Sequence, residues 1–235
     1  MSKINIGIIG AGNIAEKHLD ILMKINEVNL LKIYSRTSSK ARKLAKKYSI
    51  NVLCKNLKEF MTNDLDGILI LVSAEEIFNI TKKLLPYKIP LFIEKPLALT
   101  YSDYIKIYNK NKKYKTPNMI GFNRRFYSNF HKVLKIIKND NDKINAINIE
   151  GHERSWLINK SNIKNKWFFA NSVHTVDLLN FFGGKINSAK IFSKKNKNLS
   201  KNYYTGIFKF QNGIIGSYNS YWSSPGSWRV SLFTA

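Results

Sequence analysis

Short apolar runs alternate with amphipathic stretches through the first half of the chain. The runs at Ile4–Ile9 and Gly67–Val72 are almost unbroken, which is typical of strands buried on both faces of a parallel sheet. Helical spacing of apolar residues follows each run, so the order strand-helix repeats and predicts a doubly wound α/β fold. The predicted strands are Ile4–Ile9, Leu30–Tyr34, Ile50–Leu53, Gly67–Val72, Leu91–Ile93 and Met119–Phe122, and the predicted helices are Asn13–Ile25, Ser38–Tyr48, Leu57–Met61, Glu75–Leu85 and Ser102–Asn109.

The pattern changes after residue 122. Polar and apolar residues now alternate over long runs, and Asn212-Gly213 between two of them is a strong hairpin signal. This favours an α+β domain with an open antiparallel sheet, so we predict two domains, a doubly wound α/β domain over 1–122 and an α+β domain over 123–235. Because the sequence stops just after a strand pattern, we expect this second domain to be incomplete. Its predicted helices are Phe126–Ile137 and Asn171–Phe182, and its predicted strands are Lys143–Arg154, Lys185–Ser193, Tyr203–Phe210, Gly213–Ser223 and Trp228–Phe233.

The composition excludes several classes of protein but does not identify the function. A hydrophobic fraction of 44% excludes a wholly disordered chain. The formal charge is +24, but only six of the 39 basic residues are arginines and the lysines are scattered, which favours a lysine-rich background over a nucleic-acid surface. The single cysteine excludes a disulfide within the chain. With neither a signal peptide nor an apolar run long enough for a membrane span, we expect a cytoplasmic protein without nucleic-acid or membrane partners. No cluster has the spacing of a metal site.

The strongest local motif is Gly10-Ala11-Gly12-Asn13-Ile14-Ala15, which directly follows the first strand and opens the first helix. Glycine at the first position permits a tight turn, glycine at the third lets the backbone approach a pyrophosphate, and Ala15 allows close helix packing. The helix N-terminus then faces the anion. We therefore assign Gly10, Gly12, Asn13 and Ile14 to cofactor binding.

The end of the second strand bears on the choice of cofactor. NAD sites usually place Asp or Glu there to bind the ribose 2′-hydroxyl, whereas this chain has Ser35-Arg36-Thr37. A guanidinium can bind a 2′-phosphate with two hydrogen bonds. We therefore assign these three residues to the cofactor and expect NADP in preference to NAD. A surface arginine at a helix start is the alternative interpretation of Arg36.

Two further strand ends carry candidate residues. Glu94-Lys95-Pro96 follows the fifth strand and Ser73 follows the fourth. Ligands of open α/β sheets lie at the carboxyl ends of the strands, so we expect Lys95 to point toward the site and assign Ser73 to cofactor binding.

These motifs together resemble the glucose-fructose oxidoreductase / inositol dehydrogenase / MocA-type family of NAD(P)-dependent oxidoreductases. The residues that carry the resemblance are Gly7–Ala15, Glu94-Lys95-Pro96, Gly121–Phe126 and His174-Thr175-Val176-Asp177. The resemblance implies hydride transfer between nicotinamide and an alcohol or ketone of a sugar, sugar derivative or cyclitol. It assigns dinucleotide binding in a Rossmann domain to 1–122, and substrate binding and oligomerisation to 123–235. It also implies a cis Lys95-Pro96 peptide and a homo-oligomer formed through the face of the antiparallel sheet.

The resemblance also implies roles for single residues. Lys95 would contact the substrate hydroxyl and assist proton transfer, with His174 as general acid and base, a task suited to a side chain that titrates near neutral pH. Glu94 would lie near the ribose or the nicotinamide of the cofactor, and Asn123 near the nicotinamide. Arg124 and Arg125 would lie at the junction of the domains. The substrate-binding residues would be Lys95, Arg124, Asn171, His174 and Asp177.

Some residues depart from that pattern or stay open. Many relatives have Asp four residues before the histidine, where this chain has Ala170. The alternative function is therefore a catalytically inactive, cofactor-binding sensor or assembly subunit of the same fold. His152 and Glu153 face either the core or the substrate cleft. Packing is the favoured interpretation for Trp156, Trp167 and Trp222.

Overall fold

Six short strands form one parallel sheet in the first part of the chain. The computed structural model describes residues 3–157, 163, 165–194 and 202–235, and the chain divides into two compact units, Met1–Gly121 and Phe122–Ala235. The order in the first sheet is β3-β2-β1-β4-β5-β6. Its strands are β1 Ile4–Ile9, β2 Val28–Tyr34, β3 Val52–Cys54, β4 Gly67–Ile70, β5 Leu91–Ile93 and β6 Asn118–Ile120, and the helices between them are α1 Asn13–Leu22, α2 Ser38–Lys47, α3 Leu57–Phe60, α4 Ala74–Leu84 and α5 Tyr101–Tyr114.

The predicted doubly wound sheet is confirmed, because every strand pair in it is parallel and the strand order reverses between β1 and β4. Apolar residues pack on both faces and form two cores, one with Ile8 and Leu19 and one with Ile70 and Ile77. The carboxyl ends of β1, β2 and β4 therefore meet at one edge, which is the place where ligands bind in such sheets.

The second unit is an α+β layer, as its sequence pattern predicts, with one correction. Its five-stranded sheet has the order β11-β7-β10-β9-β8, and the central pair β7 and β10 is parallel rather than antiparallel. Alternation in a sequence places residues on two faces of a sheet but says nothing about strand direction. The strands are β7 Ile144–Gly151, β8 Ile186–Lys194, β9 Tyr203–Phe210, β10 Ile215–Tyr221 and β11 Trp228–Thr234, and the helices are α6 Ser128–Asn139 and α7 Val173–Gly183.

Helix α7 begins two residues later than its sequence predicts. A π-helical turn, Phe168–Ser172, precedes it. Such a turn is rare and often found at functional sites, and spacing of apolar residues does not reveal it. The helix packs with Leu178, Leu179 and Phe182 against Ile147 and the inner face of the sheet.

The outer face of the same sheet carries exposed apolar side chains among charged ones such as Lys190 and Lys209. The strand registers place Phe192, Ile207, Ile215 and Phe233 on this face, and each side chain is exposed. Self-association through this face stays a prediction. In the part of the chain that the structure describes, no helix is long and apolar enough to cross a membrane.

Candidate functional site

The turn between β1 and α1 contains two glycines, Gly10 and Gly12, which are needed for different reasons. Gly10 has φ +114°, and a Cβ there would lie 2.3 Å from the carbonyl oxygen of Leu71. Gly12 is the N-cap of α1, and a Cβ there would meet no atom within 4 Å. Gly10 is therefore required by the turn itself, whereas the missing side chain of Gly12 keeps space open in front of the helix N-terminus.

That space belongs to a cavity of about 270 Å³ at the carboxyl edge of the first sheet. Seven of the residues assigned to the cofactor from sequence meet in its wall. They are Gly10, Gly12, Ile14, Ser35, Arg36, Thr37 and Ser73. Asn13 begins α1 but is not part of the wall. Sequence reasoning missed Lys40 and Glu76, which also line the cavity and come from the first turns of α2 and α4.

One ion pair, between Arg36 and Glu76, lies in the wall of this pocket. The Arg36 guanidinium donates from Nη1 to Oε1 of Glu76 over 2.9 Å. The Arg36 side chain is 69% exposed and that of Glu76 is 28% exposed. Lys40 adds a second cation to the wall. The pocket therefore offers two cations, one of which is engaged by a carboxylate.

The Glu-Lys-Pro motif lies at the end of β5. The Lys95-Pro96 peptide is cis, as the resemblance implies, and Lys95 is half-buried. The Glu94 carboxylate is 3.4 Å from Nε2 of His18, whose ring packs edge-on against Phe92. His18 therefore ties α1 to the strand that carries Glu94 and Lys95.

In the second unit, His174 is buried near the start of α7. Its ring lies between Phe122 and Trp228, with centroid distances of 6.3 and 6.2 Å. The Arg124 guanidinium stacks on Trp228 at 4.0 Å from the ring centroid. Asn123, at the preceding turn, is exposed. Aromatic rings thus hold both His174 and Arg124.

Asp177 and Arg125 form a two-pronged ion pair. The guanidinium donates from Nε and Nη2 to the two carboxylate oxygens over 2.6 and 2.5 Å. The Asp177 side chain is only 8% exposed, and this hydrogen bonding raises the pKa of Arg125. The pair anchors α7 to the segment that carries Asn123 and Arg124. A contact between Asp177 and a substrate stays a prediction.

Glu153 is the polar centre of a second cluster. It follows β7, is 5% exposed, and accepts hydrogen bonds from Nε1 of Trp167 at 2.9 Å, Oγ of Ser172 at 2.8 Å and Nδ2 of Asn171 at 3.0 Å. Burial raises the pKa of its carboxyl group, while these donors and the charge of Arg124 act in the opposite direction. The sequence signal was a lone carboxylate at the end of a strand, which left two interpretations open.

A cavity of about 390 Å³ opens beside this cluster. Among the described residues, its wall contains Asn171, Glu153 and the three aromatic rings of His152, Trp167 and Trp228. The described part of the wall is His152, Glu153, Arg154, Leu157, Trp167, Asn171, Gly226, Ser227 and Trp228. The structure therefore places Asn171 in this wall, places Arg124 and His174 against its residue Trp228, and places Asp177 in the ion pair with Arg125.

Comparison with known proteins identifies the relationship that this geometry suggests. The sequence profile of the glucose-fructose oxidoreductase, inositol dehydrogenase and MocA oxidoreductases, an oxidoreductase family with an NAD-binding Rossmann fold, matches residues 4–122. The chain belongs to this family. The match covers the unit that holds the glycine turn, the pocket and the Glu-Lys-Pro motif.

Individual relatives agree with the family. A myo-inositol 2-dehydrogenase of Thermotoga maritima is 28% identical over 137 residues, which are 58% of this chain and 41% of that protein. A 4-carboxy-2-hydroxymuconate-6-semialdehyde dehydrogenase of a Sphingobium species is 26% identical over an alignment of 196 residues that covers 78% of this chain and 60% of that protein. The crystal structure of a myo-inositol dehydrogenase from Corynebacterium glutamicum has a TM-score of 0.80 at 17% identity and covers 99% of this chain and 75% of that one. The last comparison shows that the fold of the second unit is shared as well.

The residues of the pocket fit the dinucleotide that the family binds. The open space at Gly12 leaves room for a pyrophosphate against the N-terminus of α1. Arg36 and Lys40 provide cations beside the end of β2, where the ribose of such a cofactor lies. No group of three or more possible metal ligands occurs among the residues placed by the structure.

Proposed function

We propose that this protein is an NAD(P)-dependent dehydrogenase that acts on an alcohol or ketone of a sugar, sugar derivative or cyclitol. The observation that carries the proposal is the glycine turn, whose open space at Gly12 adjoins a pocket lined by Arg36 and Ser73. The similarity to myo-inositol 2-dehydrogenase supports the class of substrate.

We further propose that NADP(H) is preferred over NAD(H). Ser35 stands where NAD sites usually have an acidic residue, and Arg36 and Lys40 line the pocket on the same side. Two cations attract the additional phosphate of NADP(H) more strongly than they attract the neutral 2′-hydroxyl of NAD(H).

In the proposed reaction, side chains of the protein transfer the proton of the substrate oxygen, and the cofactor transfers the hydride. When bound, the nicotinamide ring supplies or accepts the hydride. The Lys95 Nζ and a ring nitrogen of His174 give or take the proton of the substrate oxygen. Glu94 and Asn123 orient the cofactor at its nicotinamide end. These roles come from the family resemblance.

The second unit contributes the proposed surface for the substrate. Asn171 and Glu153 offer polar atoms in the wall of its cavity, and the rings of Trp167 and Trp228 offer flat apolar faces. A carbohydrate presents both hydroxyl groups and apolar C–H faces, so this combination matches its chemistry. Arg124, His174 and Asp177 complete the proposed substrate set.

A pair of substitutions tests the catalytic proposal. Turnover is first sought with myo-inositol and a panel of sugars and cyclitols, with NADP⁺ or NAD⁺ as oxidant. Lys95→Ala and His174→Ala should each lower turnover by about 10²-fold or more, while the Kd of NADPH stays within about twofold in calorimetry. Lys83→Ala and His131→Ala, at exposed positions, are the matched controls and should leave both quantities unchanged.

Two results would contradict the proposal. Full turnover in both variants removes Lys95 and His174 from the mechanism. Tight NADPH binding without turnover of any compound in the panel favours the second candidate, a cofactor-binding sensor or assembly subunit, which is motivated by Ala170 where relatives have Asp.

A further inference from the structure

The ion pair between Arg36 and Glu76 spans the cofactor pocket. Arg36 follows β2 and Glu76 lies in the first turn of α4, which follows β4. These two strands flank β1 on opposite sides. The bond over 2.9 Å from Nη1 to Oε1 therefore crosses the carboxyl edge of the sheet above β1, and both partners belong to the pocket wall.

The pair gives the pocket an unusual charge arrangement. Among the described residues of the wall, the carboxylate comes from Glu76 and the cations from Arg36 and Lys40. Glu75 and Glu76 both lie in the first turn of α4, where the helix dipole favours a negative charge. The Glu76 carboxylate thus lies at a helix N-terminus, at the point where it accepts the hydrogen bond from Arg36.

We infer that Glu76 is a specificity-determining residue that competes with the 2′-phosphate of NADP(H) for Arg36. The inference rests on the proposed function. A 2′-phosphate that binds Arg36 must displace the carboxylate from Nη1 and then lies close to its negative charge, which is unfavourable. The neutral 2′-hydroxyl of NAD(H) neither has to displace the Glu76 carboxylate from Arg36 nor is repelled by its charge. Arg36 and Lys40 make the affinity for NADP(H) higher than that for NAD(H), and Glu76 therefore reduces this difference.

The test measures binding rather than turnover. The Kd values of NADPH, NADH, adenosine 2′,5′-bisphosphate and 5′-AMP are determined by calorimetry for the wild type and Glu76→Gln. We expect Glu76→Gln to tighten NADPH and the bisphosphate by about tenfold, while NADH and 5′-AMP change by less than about twofold. The gain should shrink at high salt, because the Arg36 side chain is 69% exposed.

Two further variants assign the effect to the pair. Glu27→Gln removes the same charge from an exposed position before β2, at the opposite end of the strand that leads to Arg36, and should leave the ratio of the NADPH and NADH affinities unchanged. In an Arg36→Gln background, Glu76→Gln should no longer tighten NADPH selectively. Thermal unfolding of each variant verifies that it is folded.

The outcomes separate the two proposals. If the folded wild type binds neither NADPH nor NADH, the proposed function fails. If the wild type binds them but Glu76→Gln changes both equally, weakens NADPH, or acts the same without Arg36, the role of Glu76 is overturned and the proposed function stands.

Discussion

The two candidate sites are built by opposite means. In the first unit, the pocket is made from a glycine turn, a helix N-terminus and residues just after strand ends. The course of the backbone therefore forms much of this pocket. In the second unit, the cavity depends on side chains far apart in sequence, such as Glu153, Asn171 and Trp228. A site made by the backbone leaves a short motif in the sequence, whereas a site made by distant side chains does not.

Their charges differ in the same way. Arg36 in the first pocket is largely exposed, so its interactions are screened by salt. Glu153 in the second unit is 5% exposed and depends on its three neutral donors. Substitutions of charged side chains in the first site should therefore change binding while sparing stability, and substitutions of charged side chains in the second should change stability.

The largest expected effect comes from Gly12→Val. A Cβ at this position meets no atom within 4 Å, so the fold should be retained, but the added methyl groups occupy the space in front of α1. The Kd of NADPH and of NADH should each weaken by about 100-fold or more. Calorimetry measures the affinities, and thermal unfolding should give nearly the wild-type midpoint.

Gly10→Ala is the contrasting control within the same turn. Its Cβ would overlap the carbonyl oxygen of Leu71 at a residue with φ +114°, and such backbone strain alone costs about 1–3 kcal/mol. The free energy of unfolding should fall. A Gly10→Ala protein as stable as the wild type would contradict the requirement for glycine in the turn. A Gly12→Val protein that still binds cofactor would contradict the role of Gly12 in leaving space for it.

Asp177→Asn tests whether the second unit depends on its side-chain network. The change removes the charge that holds Arg125 through two hydrogen bonds. Charge-assisted hydrogen bonds contribute about 1.5–3 kcal/mol, and partial exposure of Arg125 reduces this figure. We expect the free energy of unfolding to fall by about 1–2 kcal/mol in urea titration, and the loss should be smaller when Arg125 is already Gln. An unchanged urea midpoint would contradict the claim that charged side chains in the second unit contribute to stability.

Glu153→Gln gives the smallest effect and the most specific one. Because burial raises the folded-state pKa of Glu153 above its ordinary value of about 4.5, the folded state binds the proton more tightly than the unfolded state. Stability from this group is present below the ordinary pKa and is lost as pH rises through the raised value. The variant should therefore gain stability relative to the wild type as pH rises from about 4 to about 8.

Urea titrations of both proteins across this range measure the difference. A difference in the free energy of unfolding that stays constant with pH, or falls as pH rises, would contradict a raised pKa at Glu153. The same titrations show whether the neutral amide can replace the carboxylate as partner of Trp167 and Ser172.

Much of the first unit could be predicted because its signals are local. The bounds of β1 and β5 agree with the predicted bounds, and the glycine turn indicates both fold and ligand. The predicted strand Ile50–Leu53 is displaced, since the structure has Val52–Cys54. The predicted helix Ser102–Asn109 is too short, since α5 extends through a lysine-rich segment to Tyr114. Lysines in the last turn favour a helix end, so they belong to the helix rather than to the loop after it.

The sequence by itself determined the alternating strands and helices, the dinucleotide motif and the resemblance to the family, because each depends on spacing over a few residues. Only the tertiary structure decided that β7 and β10 run parallel, that Glu76 bonds Arg36 and that Glu153 gathers Trp167, Asn171 and Ser172. These contacts join residues from separate elements, and their geometry follows from how the strands are ordered and packed. Local pattern carries no information about that order, so the partners of a charged side chain become visible only in the folded chain.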